Sequence, residues 1–184
     1  MFKVAVIVGS LRRESINRRF AQALAKLAEG TLDFEYPDLA DVPMYNEDLW
    51  QSPPPGVTRL KQSIEAADAV LFVTPEYNRS IPPVVKNAID WASRPRGSSS
   101  WAGKPAGIVG TSGGAIGTAV AQSHLRHIVA VCDMKLLPQP EVYFVNKPGL
   151  VTDAFEVSDE KSRAFLQGYV AKFGAWIAQH VAKV

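Results

Sequence analysis

The sequence predicts an α/β protein with a parallel sheet that is covered by helices on both faces. Five short apolar runs, rich in β-branched and aromatic residues, occur along the 184-residue chain. Most of these runs are followed by a segment with the period of a helix, an alternation that is typical of βαβ units. No repeat or low-complexity tract divides the chain. We therefore expect a single domain over residues 1–184.

The first predicted strand covers residues 3–8, and a helix follows after Ser15. This helix is expected because apolar residues recur on one side of it and Gly30 then supplies a stop signal. Its apolar stripe consists of Ile16, Phe20, Leu24 and Leu27. A second strand is predicted over residues 32–36. The loop over residues 37–55 is unusually long, and its apolar side chains indicate a surface that covers a ligand or a neighbouring subunit.

The middle of the chain repeats the alternation of strand and helix. A helix is predicted over residues 57–67 and a strand over residues 69–74. A third helix begins near Pro82, because proline is accepted in a first helical turn. The fourth strand covers residues 106–111, and the fourth helix covers residues 115–131.

A fifth, short strand over residues 135–137 precedes the last helix. Ser158 is the predicted N-cap of that helix, and Asp159 and Glu160 complement its positive end. Its buried side is marked by Leu166, Tyr169, Val170, Phe173, Trp176, Ile177 and Val181. We therefore expect a long final helix that packs one face against the sheet.

Composition and charge exclude several functional classes. Twenty basic and eighteen acidic residues leave a net charge of +2, so the chain has no global field of the kind that attracts nucleic acid. No apolar run approaches the roughly 20 residues that cross a bilayer, and the N-terminus lacks the pattern of a signal peptide. Cys132 is the only cysteine, which fits a reducing compartment. We expect a cytoplasmic protein that binds neither nucleic acid nor membrane.

The loops after the first, third and fourth strands are the candidate sites. In an open parallel sheet, ligands bind beyond the carboxyl ends of the strands, at the point where the strand order reverses. The first loop, GSLRRESINRR from Gly9, enters a helix whose unpaired N–H groups favour an anion. It lacks both the glycines of a Rossmann loop and the lysine of a P-loop. We therefore expect side chains to hold a monophosphate in this loop.

The natural donors to such a phosphate are hydroxyl, amide and guanidinium groups. The loop supplies them from Ser10, Arg12, Ser15 and Asn17. An alternative interpretation stays open, in which Ser15 only caps the helix and the arginines are solvated. The spacing alone does not separate these two interpretations.

The second loop, TPEYNRSIPP over residues 74–83, follows a buried strand. A planar ring system needs hydrogen bonds along its polar edge and flat packing against one face. Glu76, Tyr77 and Asn78 could supply both. The same residue types are also common in ordinary turns, so the motif alone is of moderate specificity.

The third loop, GTSGGAIGTA over residues 110–119, is rich in glycine. Gly113 and Gly114 remove side chains from one wall, so that a ligand can contact backbone N–H groups. His124 and His127 lie three residues apart, but no carboxylate or cysteine cluster accompanies them, and no metal site is expected. Since the chain also offers no convincing acid–base pair, we expect a cofactor to carry the chemistry.

These loops resemble a known family. GSLRRESINR, TPEYNRSIPPVVKNAIDWASR and AGKPAGIVGTSGGAIG are similar, in order and spacing, to motifs of the NADPH-dependent FMN reductases. The resemblance covers nearly the whole chain. Within the family, the chain looks most similar to bacterial chromate and quinone reductases. It implies a flavodoxin-like three-layer sandwich, with a five-stranded parallel sheet in the order 2-1-3-4-5 and helices on both faces. It also places FMN where the strand order reverses.

The resemblance further implies roles for individual residues. Around the FMN phosphate it places Ser10, Leu11, Arg12, Ser15 and Asn17. Along the isoalloxazine ring it places Pro75, Glu76, Tyr77 and Asn78 on one side, and Ser112, Gly113 and Gly114 on the other. Arg79 departs from the family pattern, because many relatives carry an aromatic or small residue there. We hypothesise that Arg79 meets a substrate anion or the nicotinamide nucleotide.

The implied function is an FMN-dependent NAD(P)H oxidoreductase. NADPH or NADH would deliver a hydride to flavin N5, and a quinone, chromate, an azo compound or oxygen would then take the electrons in a ping-pong exchange. No catalytic side chain is required, and the family implies a dimer or tetramer. Two alternatives stay open. One is a flavodoxin-type electron carrier without NAD(P)H oxidation, and the other is a Rossmann-type dinucleotide protein that uses Asp38 to bind a ribose.

Overall fold

A computed structural model describes residues 1–181 and contains one parallel sheet. Its strands are β1 (Phe2–Val8), β2 (Leu32–Glu35), β3 (Ala69–Val73), β4 (Pro105–Ser112), β5 (Lys135–Leu136) and β6 (Val142–Val145). The strand order is β2-β1-β3-β4-β5, and every pair of neighbours is parallel. This order confirms the flavodoxin-like sheet, in which the strand order reverses between β1 and β3.

Helices cover both faces of the sheet. They are α1 (Ile16–Leu27), α2 (Pro55–Ala66), α3 (Pro83–Ala92), α4 (Ala119–Val131) and α5 (Glu160–His180). Helices α1 and α5 pack one hydrophobic cluster against the sheet, in which Phe20 and Phe173 are almost fully buried. Helices α2, α3 and α4 pack a second cluster that includes Leu60 and Ile89. The predicted three-layer arrangement is therefore confirmed. Within residues 1–181, none of the helices has the length and apolar character that a bilayer span requires.

One edge of the sheet differs from the prediction of five strands. Strand β5 pairs only with the start of β4, where Ala106 lies opposite Leu136. Strand β6 then pairs with the end of β4, from Val109 to Ser112. The two short strands fill the position of a single fifth strand. Strand β6 escaped prediction because it has four residues and follows a proline-rich connection.

Helices α4 and α5 both begin later than predicted. Asp159, and not Ser158, caps α5, because its carboxylate accepts the Ser162 N–H at 2.7 Å. The Ser158 hydroxyl instead donates to the Gly149 carbonyl oxygen at 2.9 Å. Helix α4 begins at Ala119 rather than at residue 115. Gly117 has a φ of 63°, a left-handed conformation that a right-handed helix cannot include.

The long loop between β2 and α2 is held on α3. The amide of Asn87 accepts the Tyr45 N–H at 2.8 Å and donates to the Pro43 carbonyl oxygen at 2.8 Å. The indole N–H of Trp91 donates to the same Pro43 oxygen at 2.7 Å. The rings of Tyr45 and Trp50 pack edge-on against Trp91, with centroids 4.9 and 5.2 Å away. Much of the apolar surface of this loop is therefore used to pack against α3.

Candidate active site

Three loops meet beyond the carboxyl ends of β1, β3 and β4, as predicted. Gly9 lies where the first loop touches the second. A Cβ atom at Gly9 would come within 2.8 Å of both Pro75 Cδ and Val85 Cγ2. The Gly9 N–H donates to the Val73 carbonyl oxygen at 2.9 Å. The first residue after β1 must therefore lack a side chain for these loops to approach each other, a requirement that the sequence did not reveal.

The N-terminus of α1 has the features of an anion site. Ser15 is the N-cap, and its hydroxyl accepts the Arg18 N–H at 3.2 Å. Ser10 is also buried, whereas the side chain of Arg12 is exposed beside it. The first turn of α1 contains no acidic residue that would compete with a bound anion. Ser15 therefore caps the helix, and within residues 1–181 its hydroxyl donates to no other group.

The side chain of Asn17 also binds the backbone of β4, which the sequence did not predict. Its Nδ2 donates to the Thr111 carbonyl oxygen at 2.9 Å, and its Oδ1 accepts the Thr111 N–H at 3.1 Å. The residue is 1% exposed, and its amide joins α1 to the end of β4. Because Nδ2 carries two hydrogens, one of them makes no hydrogen bond among residues 1–181. A buried asparagine side chain needs hydrogen-bond partners, but the sequence does not show which residue supplies them.

Arg18 and Leu11 lie at the rim of the first loop. The Arg18 guanidinium lies over the Tyr36 ring, 5.9 Å from its centroid. Burial raises the pKa of Tyr36 to about 12, although the positive charge of Arg18 acts in the opposite direction. Leu11 is 58% exposed at the tip of the loop. Arg18 therefore packs on Tyr36, the residue directly after β2.

The carboxylate of Glu76 is directed at α4. It accepts the N–H groups of Val120 and Ala121 at 3.0 and 3.1 Å, and Arg79 Nη1 donates to it at 2.9 Å. Burial acts to raise the pKa of Glu76, but hydrogen bonds from Ala121, Arg79 and Val120 outweigh it and hold that pKa below its ordinary value. Glu76 thus caps α4, where the N-cap residue Thr118 makes no side-chain capping bond.

Residues 77–80 form a tight turn beside this carboxylate. Tyr77 and Ser80 exchange two backbone hydrogen bonds of 3.0 Å. Between them, Asn78 and Arg79 have φ values of 50° and 64°, which define a type I′ turn. The Ser80 hydroxyl also lies 3.1 Å from His124 Nδ1. Two contacts with α4 therefore hold the turn, and Tyr77 projects from it with 44% of its surface exposed.

The third loop forms an open wall of backbone. The Ser112 hydroxyl donates to the Gly117 carbonyl oxygen at 2.5 Å and accepts the Gly114 N–H at 3.3 Å. A Cβ atom at Gly113 would meet no atom within 4 Å, and one at Gly114 would approach only the Ser112 hydroxyl, at 3.8 Å. Both glycines therefore border open space that a side chain would fill. A flat ring can approach this backbone closely, so the loop fits the cofactor ring expected from the sequence.

The fold and these loops together define a class of protein. A flavodoxin-like sheet carries a helix N-terminus without acidic residues, a hydrogen-bonded turn and a glycine wall at its switch point. This combination is typical of an α/β protein that binds a phosphorylated, flat cofactor.

Comparison with known proteins identifies the family. Residues 2–149 match the model of the NADPH-dependent FMN reductases, and the chain belongs to this family. It is 48% identical over 175 residues to 2-hydroxy-1,4-benzoquinone reductase from Burkholderia sp, with 95% of this chain and 96% of that protein covered. It is 45% identical over 178 residues to a quinone reductase from Pseudomonas putida, with 96% and 95% covered.

A solved structure agrees with this assignment. FerB from Paracoccus denitrificans, described as a flavoenzyme NAD(P)H:(acceptor) oxidoreductase, matches with a TM-score of 0.97 and 47% identity. The match covers 99% of this chain and 100% of FerB. The resemblance found in the sequence is confirmed, as are FMN as the cofactor and NAD(P)H as the electron donor of this family.

Proposed function

We propose that the chain binds FMN across the three loops and uses NADPH or NADH to reduce quinones. The observation that carries this proposal is that the N-terminus of α1, whose first turn has no acidic residue, lies at the same end of the sheet as the open wall of Gly113 and Gly114. When bound, FMN supplies the redox chemistry, because it accepts a hydride from the nucleotide and passes two electrons on to the acceptor. The residues of the chain hold and orient it.

The phosphate end of the proposed site depends on charge and hydroxyl groups. The hydroxyls of Ser10 and Ser15 and the guanidinium of Arg12 would donate to the phosphate, and the dipole of α1 favours its negative charge. Leu11 would border it through its backbone. Asn17 would contribute the amide hydrogen that is not bonded to Thr111, and its cross-link keeps the helix in place.

The ring end of the proposed site depends on backbone groups. Pro75, Tyr77 and Asn78 would line one side of the ring, and Glu76 would hold that loop by its bonds to α4. The backbone of Ser112, Gly113 and Gly114 would line the other side. None of these groups acts as a nucleophile, and their work is to position the ring.

The direct test follows FMN content and nucleotide oxidation in the purified protein. We expect bound FMN, oxidation of NADPH or NADH with 2-methyl-1,4-naphthoquinone, and the parallel reciprocal plots of ping-pong kinetics. The variants Arg12→Ala and Ser15→Ala should weaken FMN binding, whereas Arg13→Ala, at an exposed neighbour, is the matched control. A protein that neither binds FMN nor oxidises either nucleotide would contradict the proposal. Oxidation without any partner protein would exclude a flavodoxin-type electron carrier.

Quinones are the first acceptors to test. The relatives from Burkholderia and Pseudomonas putida are named for quinone reduction, and their identities of 48% and 45% support the same acceptor class here. Chromate, azo compounds and oxygen stay secondary candidates. They can be compared in the same assay by their kcat/KM values, because each would take electrons from the same exposed ring.

We also propose that the chain acts as one cytoplasmic FMN-binding domain that assembles into a dimer or tetramer. The half-buried Cys132 is its only cysteine, which supports a reducing compartment. Ile116, which precedes α4, and Val131, at its end, are 47% and 79% exposed and are the apolar side chains that we test for a subunit contact. Sedimentation analysis should detect the assembly, and Val131→Glu should weaken it. A monomer at all concentrations would contradict the proposal.

A further inference from the structure

Arg79 occupies a backbone position that favours glycine. It is the third residue of the type I′ turn, with a φ of 64°, and it follows Asn78, whose φ is 50°. Such turns prefer asparagine followed by glycine, so Asn78 fits the turn and Arg79 does not. A long side chain in this left-handed conformation is strained. Strained residues that persist in folded proteins cluster at functional sites, where the surrounding structure maintains them.

The ion pair with Glu76 leaves most of the Arg79 guanidinium free. Nη1 donates to Glu76 Oε1 at 2.9 Å, and within residues 1–181 the other guanidinium N–H groups make no hydrogen bond. The Arg79 side chain is 65% exposed, whereas that of Glu76 is 7% exposed. The second oxygen of Glu76 already accepts two N–H groups at the positive end of α4. Glu76 therefore does not depend on Arg79 alone, and most of the Arg79 guanidinium donors lie exposed at the surface of the turn.

We propose that Arg79 is a specificity-determining residue that binds an anionic group of the compound occupying the mouth of the site. This inference rests on the proposed function, because the turn lies at the carboxyl end of β3 beside the proposed ring site. A guanidinium binds sulfonate, carboxylate, ionised hydroxyl and phosphate groups through the same charge-assisted hydrogen bonds. The anion therefore belongs either to an acidic quinone or to the additional phosphate that distinguishes NADPH from NADH.

The acceptor arm compares a charged and a neutral quinone. The KM for 1,4-naphthoquinone-2-sulfonate, divided by the KM for 2-methyl-1,4-naphthoquinone, is measured with NADH in the FMN-loaded protein. In Arg79→Gln and Arg79→Gly this ratio should rise about five-fold, as expected for the loss of one exposed ionic contact. Arg79→Lys keeps the charge and should preserve most of the preference. Arg13→Gln is the control, and its ratio should equal that of the unmodified chain.

The donor arm compares NADPH with NADH, using the neutral quinone as acceptor. If the KM for NADPH rises in Arg79→Gln while that for NADH does not, Arg79 binds the additional phosphate of the donor. If only the sulfonate ratio changes, it binds the acceptor. Calorimetric titration of the FMN-loaded protein with naphthalene-2-sulfonate, which cannot be reduced in this reaction, tests binding without turnover. Its Kd should rise about five-fold in Arg79→Gln.

A stability measurement separates the charge from the backbone strain. Arg79→Gln and Arg79→Gly both lose the ion pair, but only glycine relieves the left-handed φ. The glycine variant should therefore unfold about 2 to 4 °C above the glutamine variant.

If Arg79 only supports Glu76, its replacement will change the KM values of both quinones equally and those of both nucleotides equally, which overturns the inference. Failure of the unmodified chain to reduce the neutral quinone would instead contradict the proposed function.

Discussion

The side chain of Asn17 and the backbone of Thr111 form a pair of hydrogen bonds that joins the first candidate loop to the third. The two bonds measure 2.9 and 3.1 Å, and both residues are 1% exposed. Thr111 is the penultimate residue of β4, and Asn17 lies in the first turn of α1. The helix that follows the first loop and the strand that leads into the glycine wall are therefore held in one arrangement.

Replacement of Asn17 should be costly for the fold. Asn17→Ala leaves a buried N–H and a buried carbonyl of Thr111 without partners, so we expect the free energy of unfolding to fall by about 2 to 4 kcal/mol. FMN affinity should fall with it. Urea denaturation and FMN titration measure the two effects. Gln22→Ala, at a half-buried position of the same helix, is the control and should change stability by about 0.5 kcal/mol at most.

Gly9 should not tolerate a side chain. A Cβ atom there would lie 2.8 Å from Pro75 Cδ and from Val85 Cγ2, so Gly9→Ala should separate the first two loops. We expect a loss of about 1 to 3 kcal/mol in the free energy of unfolding, together with weaker FMN binding. Gly168→Ala is the matched control, because no atom lies within 4 Å of its Cβ position in α5. That change should stabilise the protein by about 0.5 to 1 kcal/mol.

Gly113 should be required for the cofactor but not for the fold. The space beside it is open, so Gly113→Val should leave the thermal unfolding of FMN-free protein nearly unchanged. The same side chain would fill the surface where we place the ring, and FMN affinity should fall by about ten-fold or more. Fluorescence titration of FMN into the two proteins measures this. Equal affinities would show that the ring does not lie on this wall.

Glu76 should make stability depend on pH. Its pKa in the folded protein lies below the ordinary value of 4.5, so the ionised carboxylate stabilises the fold above the pKa of the unfolded chain. This contribution is lost as the pH falls through the lowered folded pKa. At pH 7, Glu76→Gln should reduce the free energy of unfolding by about 1 to 3 kcal/mol. Below about pH 4 the difference from the unmodified chain should shrink.

Denaturant unfolding at several pH values measures this difference. Glu29→Gln is the control, because Glu29 is exposed and makes no side-chain hydrogen bond among residues 1–181. The free energy of unfolding of Glu76→Gln could instead stay below that of the unmodified chain by a constant amount from pH 7 to about pH 3. That result would contradict the role of Glu76, because the ionised carboxylate would then not be the source of the stability.

Much of the fold could be predicted because local patterns carry it. The stripe that includes Phe20 and Leu24 identified α1, and the buried runs identified β1, β3 and β4. Strand β6 was missed because its four residues follow a proline-rich connection and alternate in burial. Such a strand is defined by its pairing with β4 and not by its own composition.

The site could be predicted less completely, because the decisive contacts join distant parts of the chain. Asn17 meets Thr111 across 94 positions, and Glu76 meets Val120 across 44. The sequence assigned Asn17 and Glu76 to the cofactor, while the structure also uses both side chains to hold loops and helices together. Their contacts with FMN stay predictions, as do those of Ser10, Arg12 and Ser15.

The sequence by itself determined the alternation of strands and helices, the three loops at the strand ends and the family. Periodicity, turn residues and motif spacing are properties of residues that are close in sequence, so they can be recognised without the structure. Only the tertiary structure decided which polar groups of those loops are already bonded and which stay free. It also showed that Gly9 lies against Val85 and that Arg79 is held in a left-handed conformation. These features depend on which residues, distant in sequence, come into contact, and the packing of the folded chain determines those contacts.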